Sequence, residues 1–164
     1  MSNSSKEKQN QEAKRKYRQN AALILERKDK KILICERADY EDAWQFPQGG
    51  VDKGEDPIDA LYREVEEEIG LSPEFYKIID YREGYRYKFD NRHPKMKSYL
   101  GQEQTYFRCR FNGKNKDINL NVSKPEFVSF CWIKPERFNL MWVPDFKRKV
   151  YTEVFRDFYD LDIT

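Results

Sequence analysis

Between Gly49 and Leu71 the chain reads GGVDKGEDPIDALYREVEEEIGL, and this stretch limits what the protein can be more than any other. Gly49, Glu55, Arg63, Glu64, Glu67, Glu68 and Gly70 stand at fixed spacings, with Val65 and Leu71 at two apolar ones. If each fixed residue were as common as glycine, roughly 7% of positions, chance would set all of them in on the order of one window in a hundred million.

The segment predicts its own helix. Asp56 suits the N-cap, Pro57 the first helical position, and Gly70 the left-handed position just past the end. At about 100° per residue, Ile58, Leu61, Val65 and Ile69 make one apolar stripe with Tyr62 at its edge. Glu64, Glu67 and Glu68 are expected on the opposite side, within about 100° of arc. Carboxylates at these spacings repel one another. A divalent cation is the compensation, because hard ions such as Mg²⁺ take oxygen ligands and keep places for phosphate. Glu66 reads as solvated. An acidic run by itself is usually a solvent face, but a solvent face gives no reason for the turn GGVDKGE or for Arg63 beside Glu64.

With these residues in place, the segment resembles a complete Nudix box, the signature of hydrolases that cleave nucleoside diphosphates linked to another group. Further stretches resemble one branch of that superfamily: Tyr17-Arg18-Gln19-Asn20, Trp44-Gln45-Phe46-Pro47-Gln48-Gly49-Gly50, Gly101-Gln102-Glu103-Gln104, Pro125-Glu126-Phe127 and Phe146-Lys147-Arg148. That branch holds the bacterial RNA pyrophosphohydrolases and the asymmetric diadenosine tetraphosphate hydrolases. The likeness covers about residues 17–160 and implies an α/β/α sandwich with a mixed β-sheet.

Composition agrees with one enzyme-sized domain. The 164 residues suggest a single domain, 17–164, after a polar tail, 1–16, that has almost nothing to bury and is expected to be disordered. Hydrophobic content is a modest 38%, but 15% of residues are aromatic and supply large buried areas. The 31 basic and 29 acidic residues nearly cancel, so attraction to a nucleic acid must be local, and no DNA partner is expected. The longest apolar run, Ala21 to Leu25, is too short for a bilayer, and the N-terminus lacks a signal-peptide core. Cys35, Cys109 and Cys131 show no CxxC or Cys/His spacing and read as free thiols of a reducing, cytoplasmic compartment.

Along the chain, Asn20 to Glu26 and Lys31 to Glu36 read as strands around the turn Arg27–Lys30. Phe75 to Phe89 is strand-rich, with Tyr85, Tyr87 and Phe89 alternating. Thr105 to Phe111 and Phe127 to Ile133 are further strands. Phe146, Val150, Val154 and Phe158 recur every four residues and predict a closing helix from Asp145 to Tyr159. Asp90 to Glu103 reads as a long polar loop carrying Arg92, Lys95 and Lys97, and His93 within it as a surface residue. Lys14, Arg15 and Lys16 belong to a solubilising tail.

Cleaving a phosphoanhydride asks mainly for charge neutralisation and in-line placement of water. Glu64, Glu67 and Glu68 can anchor two or three Mg²⁺ ions, with Mn²⁺ or another divalent cation as a substitute. Arg63 orients a carboxylate by bidentate hydrogen bonding, and Glu64 is the expected base. The resemblance adds Glu126 and a backbone carbonyl near Gly49 as further metal ligands. It likewise assigns Arg18, Arg37 and Lys147 to phosphates, retains Gln104 for substrate, and makes Phe146 a ring for base stacking, with core packing as its alternative. Glu103 and Thr105 depart from the branch, where lysines are common. The resemblance implies conversion of 5′-triphosphorylated RNA to 5′-monophosphorylated RNA, which promotes mRNA decay. The alternatives are asymmetric cleavage of diadenosine tetraphosphate and a non-catalytic nucleotide-binding module, the last opposed by the intact acidic triad.

Overall fold

The computed structural model describes residues 3–7, 16–90 and 98–164. Most of the polar tail, including Lys14 and Arg15, and the segment holding Arg92, His93, Lys95 and Lys97 lie outside them; residues 3–7 form a short helical turn.

The order of elements is β1 (Tyr17–Glu26), β2 (Ile32–Arg37), β3 (Trp44–Gln45), β4 (Gln48–Gly50), α1 (Pro57–Ile69), β5 (Tyr76–Lys88), β6 (Gly101–Phe111), β7 (Phe127–Ile133) and α2 (Asp145–Tyr159), with short 3₁₀ turns between. The strands make one sheet in the order β3-β2-β1-β6-β5, with β4 paired to β1 and β7 to β2. It is a mixed sheet: β1 and β6 run parallel from Tyr17↔Gly101 to Glu26↔Arg110, while the other pairings are antiparallel.

Alternation along β1 divides the core into two layers. Ala21, Leu23 and Leu25 pack with Ala60, Leu61, Val65 and Ile69 of α1 on one face. Ala22 and Ile24 pack with Val150, Tyr151, Val154 and Phe155 of α2 on the other. The outcome is an α/β/α sandwich. Its second layer is an aromatic stack, in which Phe46 lies 5.5 Å from Tyr151 and 5.9 Å from Phe155, centroid to centroid.

α1 is capped as its residues dictate. The Asp56 carboxylate accepts from the Ile58 amide at 2.8 Å, Pro57 opens the helix, and Gly70 closes it with φ 62°. Its buried side differs from the expected stripe, however. Ile58 is 39% exposed, whereas Ala60 and Glu68 are buried. Glu68 lies seven residues from Leu61, hence only about 20° from it on the wheel, and so belongs to the buried side rather than opposite it.

The polar loop is also shorter than expected, since Gly101–Glu103 belongs to β6. Neighbours on both edges, β1 and β5, hold those polar residues in the sheet. No described helix is long and apolar enough to cross a membrane.

Candidate active site

One wall of the site is built by the glycine turn and α1. Arg63 is its organiser. Its Nε and Nη2 donate to the two carboxylate oxygens of Glu55 at 3.0 and 2.8 Å, Nη1 donates to Glu64 Oε1 at 2.8 Å, and Nη2 also donates to the Gly50 carbonyl at 2.9 Å. These bonds draw the Glu55 carboxyl down to about 2. The bidentate grip falls on Glu55, a role that its spacing in the sequence did not reveal, while Glu64 receives one hydrogen bond. Gly49 is required for close approach: a Cβ there would stand 2.0 Å from Glu64 Cδ.

The acids beyond Arg63 are crowded and partly dry. Glu68 is 4% exposed, and its Oε2 accepts one backbone N–H, from Gln48 at 3.1 Å. Burial, then the charges of Glu126 and Glu64, push its carboxyl up to about 10. Burial also raises Glu64, with Arg63 working against the rise. Glu67 lies further out, its side chain 58% exposed, with Arg63 Nη1 at 3.6 Å. β7 delivers Glu126: the strand starts at Phe127, opposite Arg37, and the Ala38 amide donates to the Glu126 carbonyl at 2.8 Å.

Among the described residues no three of these acids form a metal-binding cluster; Arg63 is bonded to Glu64, and the Glu67 side chain is more than half exposed. The donor set nevertheless fits a hard divalent cation. All four are carboxylates, and Glu68 is buried against its own kind with no cationic side chain bonded to it.

The second wall comes from distant parts of the chain. A cleft of about 840 Å³ is lined by Arg37 at the end of β2, Asp39 and Tyr40 just after it, Tyr87 of β5, Gln102 of β6, Glu126 before β7, and Phe146 and Lys147 of α2. Lys147 Nζ stands 5.8 Å from the Tyr87 ring centroid and 6.0 Å from that of Phe146. The Phe146 ring packs on Tyr87 at 5.6 Å while also lining the cleft.

The expected substrate residues are thus only partly gathered. Arg37, Phe146 and Lys147 share the cleft. Arg18 lines the adjoining groove with Tyr17, Lys53 and Tyr99, its guanidinium pressed over Gly50, where a Cβ would come within 2.1 Å of Nη2. Gln104 is committed to the core: its Nε2 donates to Asn20 at 2.9 Å and its Oε1 accepts from the Tyr106 hydroxyl at 3.1 Å. Tyr87 and Gln102 take the place of Gln104 in the cleft. They are cross-strand partners, and the Tyr87 hydroxyl and Gln102 Oε1 are both buried without a hydrogen-bond partner among the described residues. Alternation through Tyr85, Tyr87 and Phe89, and the stretch Gly101-Gln102-Glu103-Gln104, were the sequence signals for that face.

Glu126 lines both the cleft of Arg37 and Lys147, which Asp39 and Asp90 also line, and the acidic one, which holds Arg63, Glu64, Glu67 and Glu68 in about 880 Å³. The two walls therefore meet at Glu126, with carboxylates on one side and Arg37, Lys147 and Phe146 on the other.

Comparison with known proteins agrees with this construction. The model of the NUDIX domain matches residues 16–154. The RNA pyrophosphohydrolase of Helicobacter pylori is 42% identical over 149 residues, spanning 88% of this chain and 94% of its own. That of Zymomonas mobilis is 36% identical over 147 residues, spanning 87% and 94%. Among solved structures, a C. elegans Ap4A hydrolase binary complex matches with a TM-score of 0.59 at 19% identity, covering 87% of this chain and 99% of that one. The E. coli dihydroneopterin triphosphate pyrophosphohydrolase matches at 0.58 and 16%, covering 84% and 95%; both show the shared fold. A capped acidic helix, set by its glycine turn against a mixed sheet and matched over nearly the whole domain, places this chain in the NUDIX domain family.

Proposed function

We propose that the protein is a Mg²⁺-dependent RNA pyrophosphohydrolase that converts 5′-triphosphorylated RNA to 5′-monophosphorylated RNA in the cytoplasm and so promotes mRNA decay. The observation that carries the reading is the meeting of the two walls at Glu126. Relatives with this name, 36% and 42% identical over most of their length, support the substrate class. Bound Mg²⁺ would supply charge neutralisation for the phosphate oxygens.

The chain's own residues do the rest. Glu64, Glu67, Glu68 and Glu126, with the Gly49 carbonyl, would hold the cation. Arg63 fixes the Glu64 carboxylate, the proposed acceptor of the water's proton, at 2.8 Å. Arg37 and Lys147 receive the phosphate chain, and Phe146 offers its ring to a base, a contact worth roughly 1–3 kcal/mol that tolerates sequence. The Tyr87 hydroxyl can donate to a phosphate oxygen, and Gln102 Oε1 can accept from a base or ribose. Arg18 acts from the next groove, on the chain beyond the reacting end.

The runner-up is asymmetric hydrolysis of diadenosine tetraphosphate, which the same walls would admit. Turnover of a 5′-triphosphorylated RNA oligomer and of diadenosine tetraphosphate at matched Mg²⁺ separates the two. The RNA should be the better substrate by kcat/KM and should yield a 5′-monophosphate end. A higher kcat/KM on the dinucleotide overturns the proposal.

A further inference from the structure

We infer that Asp39 is a built-in competitor for the substrate phosphate at Arg37, an affinity-setting residue that keeps the cleft from retaining its phosphate product. The inference rests on the proposed reading to the extent that the phosphate chain lies at Arg37 and Lys147.

Arg37 presents its guanidinium edge to Asp39: Nε donates to Oδ1 at 2.8 Å and Nη2 to Oδ2 at 2.6 Å. That two-pronged grip is the one a phosphate would use. Arg37, Asp39 and Lys147 all line the same cleft. The hydrogen bonds from Arg37 hold the Asp39 carboxyl below its usual range, and the Lys147 charge acts in the same direction. A carboxylate thus stands among the cations that a polyanion must reach. It is two residues from Arg37 in the chain, so it can yield the edge and take it back without any rearrangement of the sheet.

The exposure of the pair sets its strength. The Arg37 side chain is 33% exposed and that of Asp39 67%, so water screens the attraction. Exposed ion pairs are weak, shifting an equilibrium by about 1.5- to fivefold. A phosphate chain with several charges displaces so weak a partner, yet every ligand at Arg37 must still overcome it. The cost falls equally on substrate and on released pyrophosphate, and it speeds the departure of the latter.

Asp39→Asn keeps the shape and removes the charge. Calorimetry with inorganic pyrophosphate at low ionic strength should show binding tightened about 1.5- to fivefold, the range for an exposed ion pair. KM for triphosphorylated RNA should fall and inhibition by pyrophosphate should strengthen by the same factor. In an Arg37→Ala background the gain should vanish, because Asp39 then has no edge to occupy. Unchanged or weaker pyrophosphate binding in a folded Asp39→Asn protein overturns the inference, since a carboxylate that merely positioned Arg37 would give that sign. An equal gain in the Arg37→Ala background overturns it too, as a general field effect. Pyrophosphate binding needs no turnover, so failure on RNA alone removes only the RNA reading.

Discussion

Glu26 and Glu68 are both buried, 2% and 4% exposed, yet the protein treats them in opposite ways. Glu26 at the end of β1 is surrounded by donors. Arg108 reaches its two oxygens at 2.8 and 3.0 Å, the Tyr159 hydroxyl donates at 2.8 Å, and Lys30 Nζ stands 3.7 Å away. Burial alone would raise the Glu26 carboxyl, but those hydrogen bonds outweigh it and hold it below its ordinary value. Glu68 in α1 has a single backbone N–H and two carboxylate neighbours, and it is pushed up to about 10. A buried acid fully served by protein donors ties β1, β6 and α2 together. A buried acid facing its own kind lacks a counter-charge, the place the proposed cation would take.

The contrast is broken or sharpened first by activity. Glu68→Gln should lower turnover with Mg²⁺ about a thousandfold or more, the several kcal/mol a bound cation supplies to the transition state. Its thermal midpoint in chelator should hold or rise, because the change removes like-charge crowding. Wild-type turnover in this variant, with Mg²⁺ as the sole metal, would sink the assignment. The next effect is linkage: a divalent cation at a hundredfold excess over its Kd should stabilise the wild type by about 2.7 kcal/mol. Melting curves of Glu68→Gln should lose most of that gain, and an equal gain would place the cation elsewhere.

Glu26→Gln should do the reverse of Glu68→Gln. Loss of the charge and of one of the two oxygens that accept from Arg108 and Tyr159 should cost about 2 kcal/mol in denaturant unfolding, with kcat/KM per folded molecule unchanged. Lost activity at intact stability would show that the two glutamates are not separate in function.

The smallest expected effect is in the pH dependence. A carboxyl lowered on folding contributes stability that is present above its unfolded value, near 4.5, and is lost as pH falls through its folded value. Glu68 has the opposite sign: in chelator its contribution is complete below about 4.5 and is lost as pH rises toward about 10. Acid unfolding of Glu26→Gln should therefore be shallower than that of the wild type, and a steeper profile would contradict the assignment.

How much of this could be read from the residues depended on the distance over which each feature is decided. The caps of α1, the closing helix Asp145–Tyr159 and the strand Phe127–Ile133 were all legible, because a cap or a periodic stripe is set within a few residues. Gly101–Glu103 was not, since its polar residues become strand only through pairing on both edges. Phe46 and Tyr151 reveal nothing of their stacking until β3, β4 and α2 meet.

The site divides the same way. By itself the sequence determined the acidic helix, its glycine turn and the arginine that organises them, since Arg63 bonds only within the one continuous piece from Gly49 to Gly70. Only the tertiary structure decided which acids are dry, where Glu126 arrives, that Tyr87 and Gln102 rather than Gln104 face the cleft, and that Asp39 occupies Arg37. Those outcomes depend on strand register and on burial, and both arise from contacts between residues far apart in the chain, which no local pattern encodes.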